Sequence, residues 1–144
     1  MMLFEVGNIS LRQLSTFETI SVENLDINKG TLHLSFYDML KILHKHNIMP
    51  RILEISEYNK EIVGYCIFYS HNGNIQISHI CIRKKYQRFG CGKQIIDWLK
   101  LCKSNTITAD ISYDNQKSKA FFEKMGFDFE ANDEKKRWKA TLKQ

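Results

Sequence analysis

The run Gln87-Arg88-Phe89-Gly90-Cys91-Gly92 joins a strand-like apolar stretch, Ile75 to Ile82, to an amphipathic, helix-like stretch, Lys93 to Lys103. A strand, a basic turn with two glycines and a helix start together make an anion site. Glycine lets the backbone approach a phosphate closely, and the first N–H groups of the helix point at it. Arg83, Lys84, Lys85, Arg88 and Lys93 surround the turn with positive charge, so the expected guest is a phosphorylated ligand. Asp110 and His79 are titratable side chains within strand-like runs. Asp110 interrupts Ile107-Thr108-Ala109-Asp110-Ile111, where aspartate is disfavoured and seldom buried without a purpose. His79 precedes Ile80-Cys81-Ile82, and an imidazole exchanges a proton near neutral pH. His33, His44, His46 and His71 fall in helix or turn contexts without metal-ligand spacing, and no metal site is expected.

The elements that must hold these residues follow from hydrophobic period and turn chemistry. Leu3 to Val6 reads as a short strand and Ser10 to Asn24 as a helix. Ser35-Phe36-Tyr37-Asp38 has the form of a capping box; the helix behind it puts Phe36, Met39, Leu40 and Leu43 on one face, and Asn47 and Pro50 end it. Strands are predicted at Ile52 to Tyr58, Ile62 to Tyr69 and Ile75 to Ile82, joined by the short polar turns 59–61 and 71–74. The middle strand is apolar on both faces, as a strand covered on both sides must be. The helix from Lys93 carries Ile95, Ile96, Leu99 and Cys102 at spacings of three and four. After a strand at Thr106 to Tyr113, a helix spans Asn115 to Met125 and Gly126 ends it. Phe127 to Glu130 and Arg137 to Leu142 close the chain as a strand pair.

The 144 residues form one α/β domain, spanning 1–144, with no repeat, low-complexity tract or linker. A 43% hydrophobic content and a single proline fit a compact chain and exclude a disordered one. No apolar run is long enough for a membrane span, and the start, Met1-Met2-Leu3-Phe4-Glu5, shows no signal-peptide pattern, so a soluble, non-secreted protein is expected. Cys66, Cys81, Cys91 and Cys102 make no Cys-x-x-Cys pair, so buried thiols in a reducing, cytoplasmic compartment are expected. The net charge of +5 suits an anionic cofactor and weak nucleic-acid contact alike.

The order of parts resembles the GNAT superfamily of acyl-CoA-dependent N-acetyltransferases. Gln87 to Gly92 is similar to the family's pyrophosphate loop, Gln/Arg-x-x-Gly-x-Gly/Ala. Downstream, Asn115, Ser118, Phe121, Phe122, Lys124, Gly126 and Phe127 follow its Asn-x-x-Ala-x-x-Phe/Leu-Tyr-x-Lys-x-Gly-Phe pattern. The resemblance implies a mixed central sheet with helices on both faces. It puts acetyl-CoA, the acyl donor, in the cleft between the fourth and fifth strands of this reading, Ile75 to Ile82 and Thr106 to Tyr113. It implies that Gln87, Arg88, Phe89, Gly90, Cys91, Gly92 and Lys93 hold the pyrophosphate. Ile80, Cys81 and Ile82 would pair by backbone with the pantetheine arm, a cheap match of donors and acceptors. Asn115, Ser118, Phe121 and Phe122 would lie along the same arm, with Asn115 equally suited to cap its helix.

Acetyl transfer to an amine requires a base for the amine, polarisation of the thioester oxygen, and tolerance of the leaving thiolate. Asp110 aligns with the Glu of the family's Leu-Glu-Val-x-x-x-Asn pattern and is the first candidate base; His79 is the second. The chain departs from the family at Phe122, where the usual tyrosine donates a proton and phenylalanine cannot. A phenylalanine beside the thioester sulfur would accept a hydroxyl, whereas one in the core would not. The expected activity is transfer of acetyl to a primary amine: a protein N-terminus, a lysine or a small molecule. Residues 8–50 and 130–137 identify no acceptor. A CoA-binding regulatory or interaction protein with little catalysis is the alternative. A nucleic-acid-binding module or a tRNA-acylating toxin has less support, and the chain is expected to be a monomer or homodimer.

Overall fold

The computed structural model of the chain describes residues 3–6, 9–14, 34–57, 62–87 and 89–144. Among them run β1 (Leu3–Val6), β2 (Ile9–Leu14), α1 (Phe36–Lys45), β3 (Arg51–Glu57), β4 (Ile62–His71) and β5 (Asn74–Ile82). A 3₁₀ turn (Lys84–Tyr86), α2 (Cys91–Lys100), β6 (Thr106–Ser112), α3 (Gln116–Lys124), β7 (Asp128–Asn132) and β8 (Arg137–Lys143) follow. The strands form one sheet in the order β1-β2-β3-β4-β5-β6-β8-β7, antiparallel except for the parallel pair β5–β6. The expected helix from Ser10 to Asn24 is corrected at its start. Residues 10–14 are strand, paired with β3, while 15–24 lie outside the described residues, as do the turn 59–61, His33 and Arg88.

Local chemistry sets the helix ends. The Ser35 side chain accepts a hydrogen bond from the Asp38 backbone N–H at 3.1 Å and starts α1. Asn115 does the same for α3 through the Ser118 N–H, also at 3.1 Å. At the far end of α3, Gly126 takes φ +92°. There the N–H of Phe127 reaches the Phe122 carbonyl at 3.0 Å and that of Gly126 reaches Glu123 at 3.1 Å. This pairing satisfies carbonyls that a helix end otherwise leaves to solvent.

The sheet is covered on both faces. On one, α1 lays Phe36, Met39 and Leu43 over Ile52, Tyr65, Ile67 and Cys81. On the other, α2 and α3 bury Ile95, Ile96, Trp98, Leu99 and Phe122 against Leu53, Cys66, Phe68, Ile77, Ile107, Ala109 and Ile111.

Two irregularities in β5 position everything that follows. Ile67 pairs with His79 while Phe68 pairs with Ile77, so Ser78 is one extra residue, a β-bulge. The bulge resets the alternation: Ile75 and Ile77 face α2, and beyond it Ile80 and Ile82 face that way while Cys81 joins the α1 side. At the same point β5 leaves β6. The parallel ladder holds Ile75, Gln76 and Ile77 against Ile107, Thr108 and Ala109 and goes no further.

Candidate active site

Beyond Ile77 and Ala109 the two central strands part, although β5 continues to Ile82 and β6 to Ser112. Ile80, Cys81 and Ile82 keep their partners Cys66, Tyr65 and Gly64 in β4 on one side. Their other edge faces the gap, where an amide-bearing chain could lie as an added strand. Gly64 makes the β4–β5 approach possible: a Cβ there would collide with the Cys81 carbonyl oxygen.

The basic turn closes the end of β5. The Arg83 guanidinium donates to the Ile62 carbonyl at 2.7 Å, and the Gln87 side-chain amide donates to the Ile82 carbonyl at 3.0 Å. These two residues therefore shape the loop. Gly90 precedes α2 at φ +76°, with open space where a Cβ would project. The first helical bond runs from the Gln94 N–H to the Gly90 carbonyl at 3.1 Å, so the N–H groups ahead of it have no acceptor within the helix. The two glycines are needed for different reasons. Gly90 needs its left-handed backbone, whereas a Cβ on Gly92 would sit 2.6 Å from the Phe121 ring. Lys93 is exposed and pairs with Asp97 at 2.8 Å, and Phe89 stands 69% exposed. Cys91 is buried in the core under the turn. The open side of Gly90, the helix start and the unladdered edge of β5 fit a pyrophosphate followed by an extended amide arm.

Asp110 lies in β6 between Ala109 and Ile111, which face α2, so alternation sends it to the α1 side. It is half-buried and close enough to Tyr69 of β4 that its charge, after burial, raises the tyrosine's pKa. In the ladder it stands opposite Lys139, which stands opposite Glu130. His79 is on the same face but fully buried. Its Nε2 meets the Leu34 carbonyl, and a carbonyl only accepts, so Nε2 carries the hydrogen. Burial holds its pKa below the usual value, partly offset by that bond. His79 thereby ties the entry of α1 to β5.

Asn115 and Ser118 make the helix cap described above, and Phe121 lines Gly92. Phe122 is fully enclosed, its ring 5.0 Å from that of Phe121 and 4.9 Å from that of Phe127. A dry aromatic core surrounds the position where the resemblance put a proton donor. The sequence reading overlooked Tyr69, Ser78 and Glu54. Glu54 is only 4% exposed and pairs in register with Tyr65. An acid within Ile52-Leu53-Glu54-Ile55 is the same signal that singled out Asp110. Burial pushes the Cys81 thiol up to about 12, which leaves it protonated and inert at neutral pH. Among the described residues no group of His, Cys, Asp and Glu could hold a metal ion, and no helix is long and apolar enough to cross a membrane.

The family model for the acetyltransferase (GNAT) family matches residues 17–127, and the chain belongs to that family. Acetyl-CoA is the acyl donor there. The fold is similar to ribosomal-protein-S5-alanine acetyltransferase from Vibrio fischeri, with TM-score 0.70, 17% identity, and coverage of 99% of this chain and 96% of that one. It is also similar to spermidine N-acetyltransferase from Vibrio cholerae, solved in complex with CoA and spermine; the TM-score is 0.66 at 15% identity, covering 95% and 96%. The ribosomal-protein-S18-alanine N-acetyltransferase from Escherichia coli gives TM-score 0.66 at 14% identity, covering 92% and 90%. No curated protein matches the chain by sequence.

Proposed function

We propose that this chain is an acetyl-CoA-dependent N-acetyltransferase for a primary amine, working in the reducing environment of the cytoplasm. The observation that carries the reading is the parting of β5 from β6 beside the N-terminus of α2, with Asp110 on the parted segment of β6. The Gly90–Lys93 backbone would hold the pyrophosphate, and the free edge of Ile80 to Ile82 the amide arm. Asp110 would take the amine's proton, directly or through one water. Acetyl-CoA supplies the acyl group: the N–C bond forms, the C–S bond breaks with its electron pair leaving on sulfur, and one proton leaves nitrogen. A thiol of pKa about 8.5 is a fair leaving group without a dedicated acid, consistent with phenylalanine at 122. The cysteines carry thiols rather than disulfides, which suits the compartment.

The acceptor class stays as wide as the neighbours suggest, from protein N-termini to polyamines. Thiol release from acetyl-CoA across peptides, polyamines and aminoglycosides tests the activity, with turnover expected on at least one class. Phe122 in the core also favours a second reading, a CoA-binding protein with little catalysis. Tight acetyl-CoA binding without thiol release on any amine would select it.

A further inference from the structure

The bulge residue Ser78 is 6% exposed, and its Oγ is buried without a hydrogen-bond partner. Buried hydroxyls nearly always find partners, so one left without them calls for an explanation. Its place supplies one. Ser78 directly follows Ile77, the last residue of β5 laddered to β6, and directly precedes His79 and the edge of Ile80 to Ile82. The residue therefore sits at the apex of the gap, where the two central strands separate. A serine hydroxyl can donate one hydrogen bond and accept two, and at this apex a ligand oxygen would complete it. Asp110 is one residue beyond Ala109, the matching last laddered residue of β6, so Asp110 and Ser78 flank the same apex in the sheet.

We propose that Ser78 Oγ–H donates a hydrogen bond to the acyl oxygen of acetyl-CoA, polarising the carbonyl that the amine attacks. The assignment rests on the proposed function, which puts the acyl end at this apex. It gives the site a side-chain donor on β5. A donor held in a water-poor site acts on developing oxygen charge far more strongly than water does. A neutral serine gives up no proton here, and the proton leaving nitrogen goes to Asp110.

The test binds acetyl-CoA labelled with ¹³C at the carbonyl to the full chain without any acceptor and records its infrared stretch. In Ser78→Ala the band should move to higher frequency than in the wild type, and Ser78→Thr should restore it. Acetyl-CoA affinity should change by less than about threefold, and turnover in Ser78→Ala should fall by about 10²-fold, as for loss of one such donor. Because the hydroxyl has no protein partner, Ser78→Ala should melt no lower than the wild type. Identical bands in wild type and Ser78→Ala would overturn the inference, as would a lowered melt with an unchanged band. A wild type that shows the band difference yet acetylates no amine leaves Ser78 in place and removes the enzymatic reading. A wild type that does not bind acetyl-CoA removes both.

Discussion

The ring of Tyr65 lies nearly parallel to that of His79, with centroids 5.2 Å apart and 16° between the planes. The stack joins β4 to β5 under α1, and Phe36 closes it edge-on at 5.0 Å from Tyr65. A protonated imidazole would have no water here. Burial, its bond to Leu34 only partly opposing, depresses the folded pKa of His79 below its unfolded value near 6.5. Between those values the unfolded chain binds more protons than the folded one. The stabilisation is therefore full above about pH 6.5 and is lost as pH falls from there towards the folded value. Melts from pH 7.5 to 5.5 should decline for the wild type and flatten for His79→Phe, which keeps the stack and cannot titrate.

His79→Ala should cost more than His79→Phe does at neutral pH. Both substitutions leave the Leu34 carbonyl without its donor, a loss of about 1–3 kcal/mol from the unmet group, and alanine alone also removes the stack. Denaturant titration measures it. If the substitution lowers turnover while leaving stability unchanged, then His79 has a chemical task rather than a structural one.

Asp110→Asn should lower turnover by about 10²-fold or more, the range of a positioned general base. Acetyl-CoA affinity should be unchanged, because the lost group serves the amine. Calorimetry alongside initial rates separates the two. Equal losses in both would move Asp110 to the cofactor's side of the cleft.

Gly90→Ala and Gly92→Ala should fail differently. The first meets open space but a left-handed backbone, so it should cost about 1–2 kcal/mol of stability and weaken acetyl-CoA binding. The second drives a methyl into the Phe121 ring 2.6 Å away, and its damage should be relieved by Phe121→Leu. Melts of the single and double variants check this; a Gly92→Ala loss that Phe121→Leu does not touch would place the constraint elsewhere.

Phe122→Tyr should destabilise by about 1–3 kcal/mol with no gain in turnover at any pH. The ring is fully enclosed between two other phenylalanines, and an added hydroxyl would find no partner. A rise in rate at low pH would show instead that the ring edge reaches the sulfur.

The legible parts of the sequence were those with an unbroken period and clear punctuation. The run Ile62 to Tyr69, apolar on both faces, became the doubly covered β4, and the caps at Ser35, Asn115 and Gly126 did what their types suggest. Ile9 to Leu14 misled because Leu11 and Leu14 stand at helical spacing in a segment too short to show its alternation. Its strand state depends on pairing with β3, distant in sequence, and tertiary pairing overrides local preference. The bulge left one trace: Ile75 and Ile77, then Ile80 and Ile82, are two alternating pairs set three residues apart instead of two. The enclosure of Phe122 and the bond of His79 to Leu34 were not legible, because both are properties of the assembled faces.

With only three residue pairs joining β5 to β6, the sheet is two leaves bound along a short spine. The larger leaf carries β1 to β5 and the smaller carries β6, β8 and β7. Every other neighbouring pair in the central part of the sheet is zipped over six or more positions. Slow amide exchange should therefore hold across the spine, and beyond Ile77 and Ala109 it should be lost only for the N–H groups of β5 and β6 that face the gap. A ligand spanning the leaves would act as a clasp, adding the cross-links that the polypeptide omits, and its first mechanical effect would be to stop the two leaves from breathing apart.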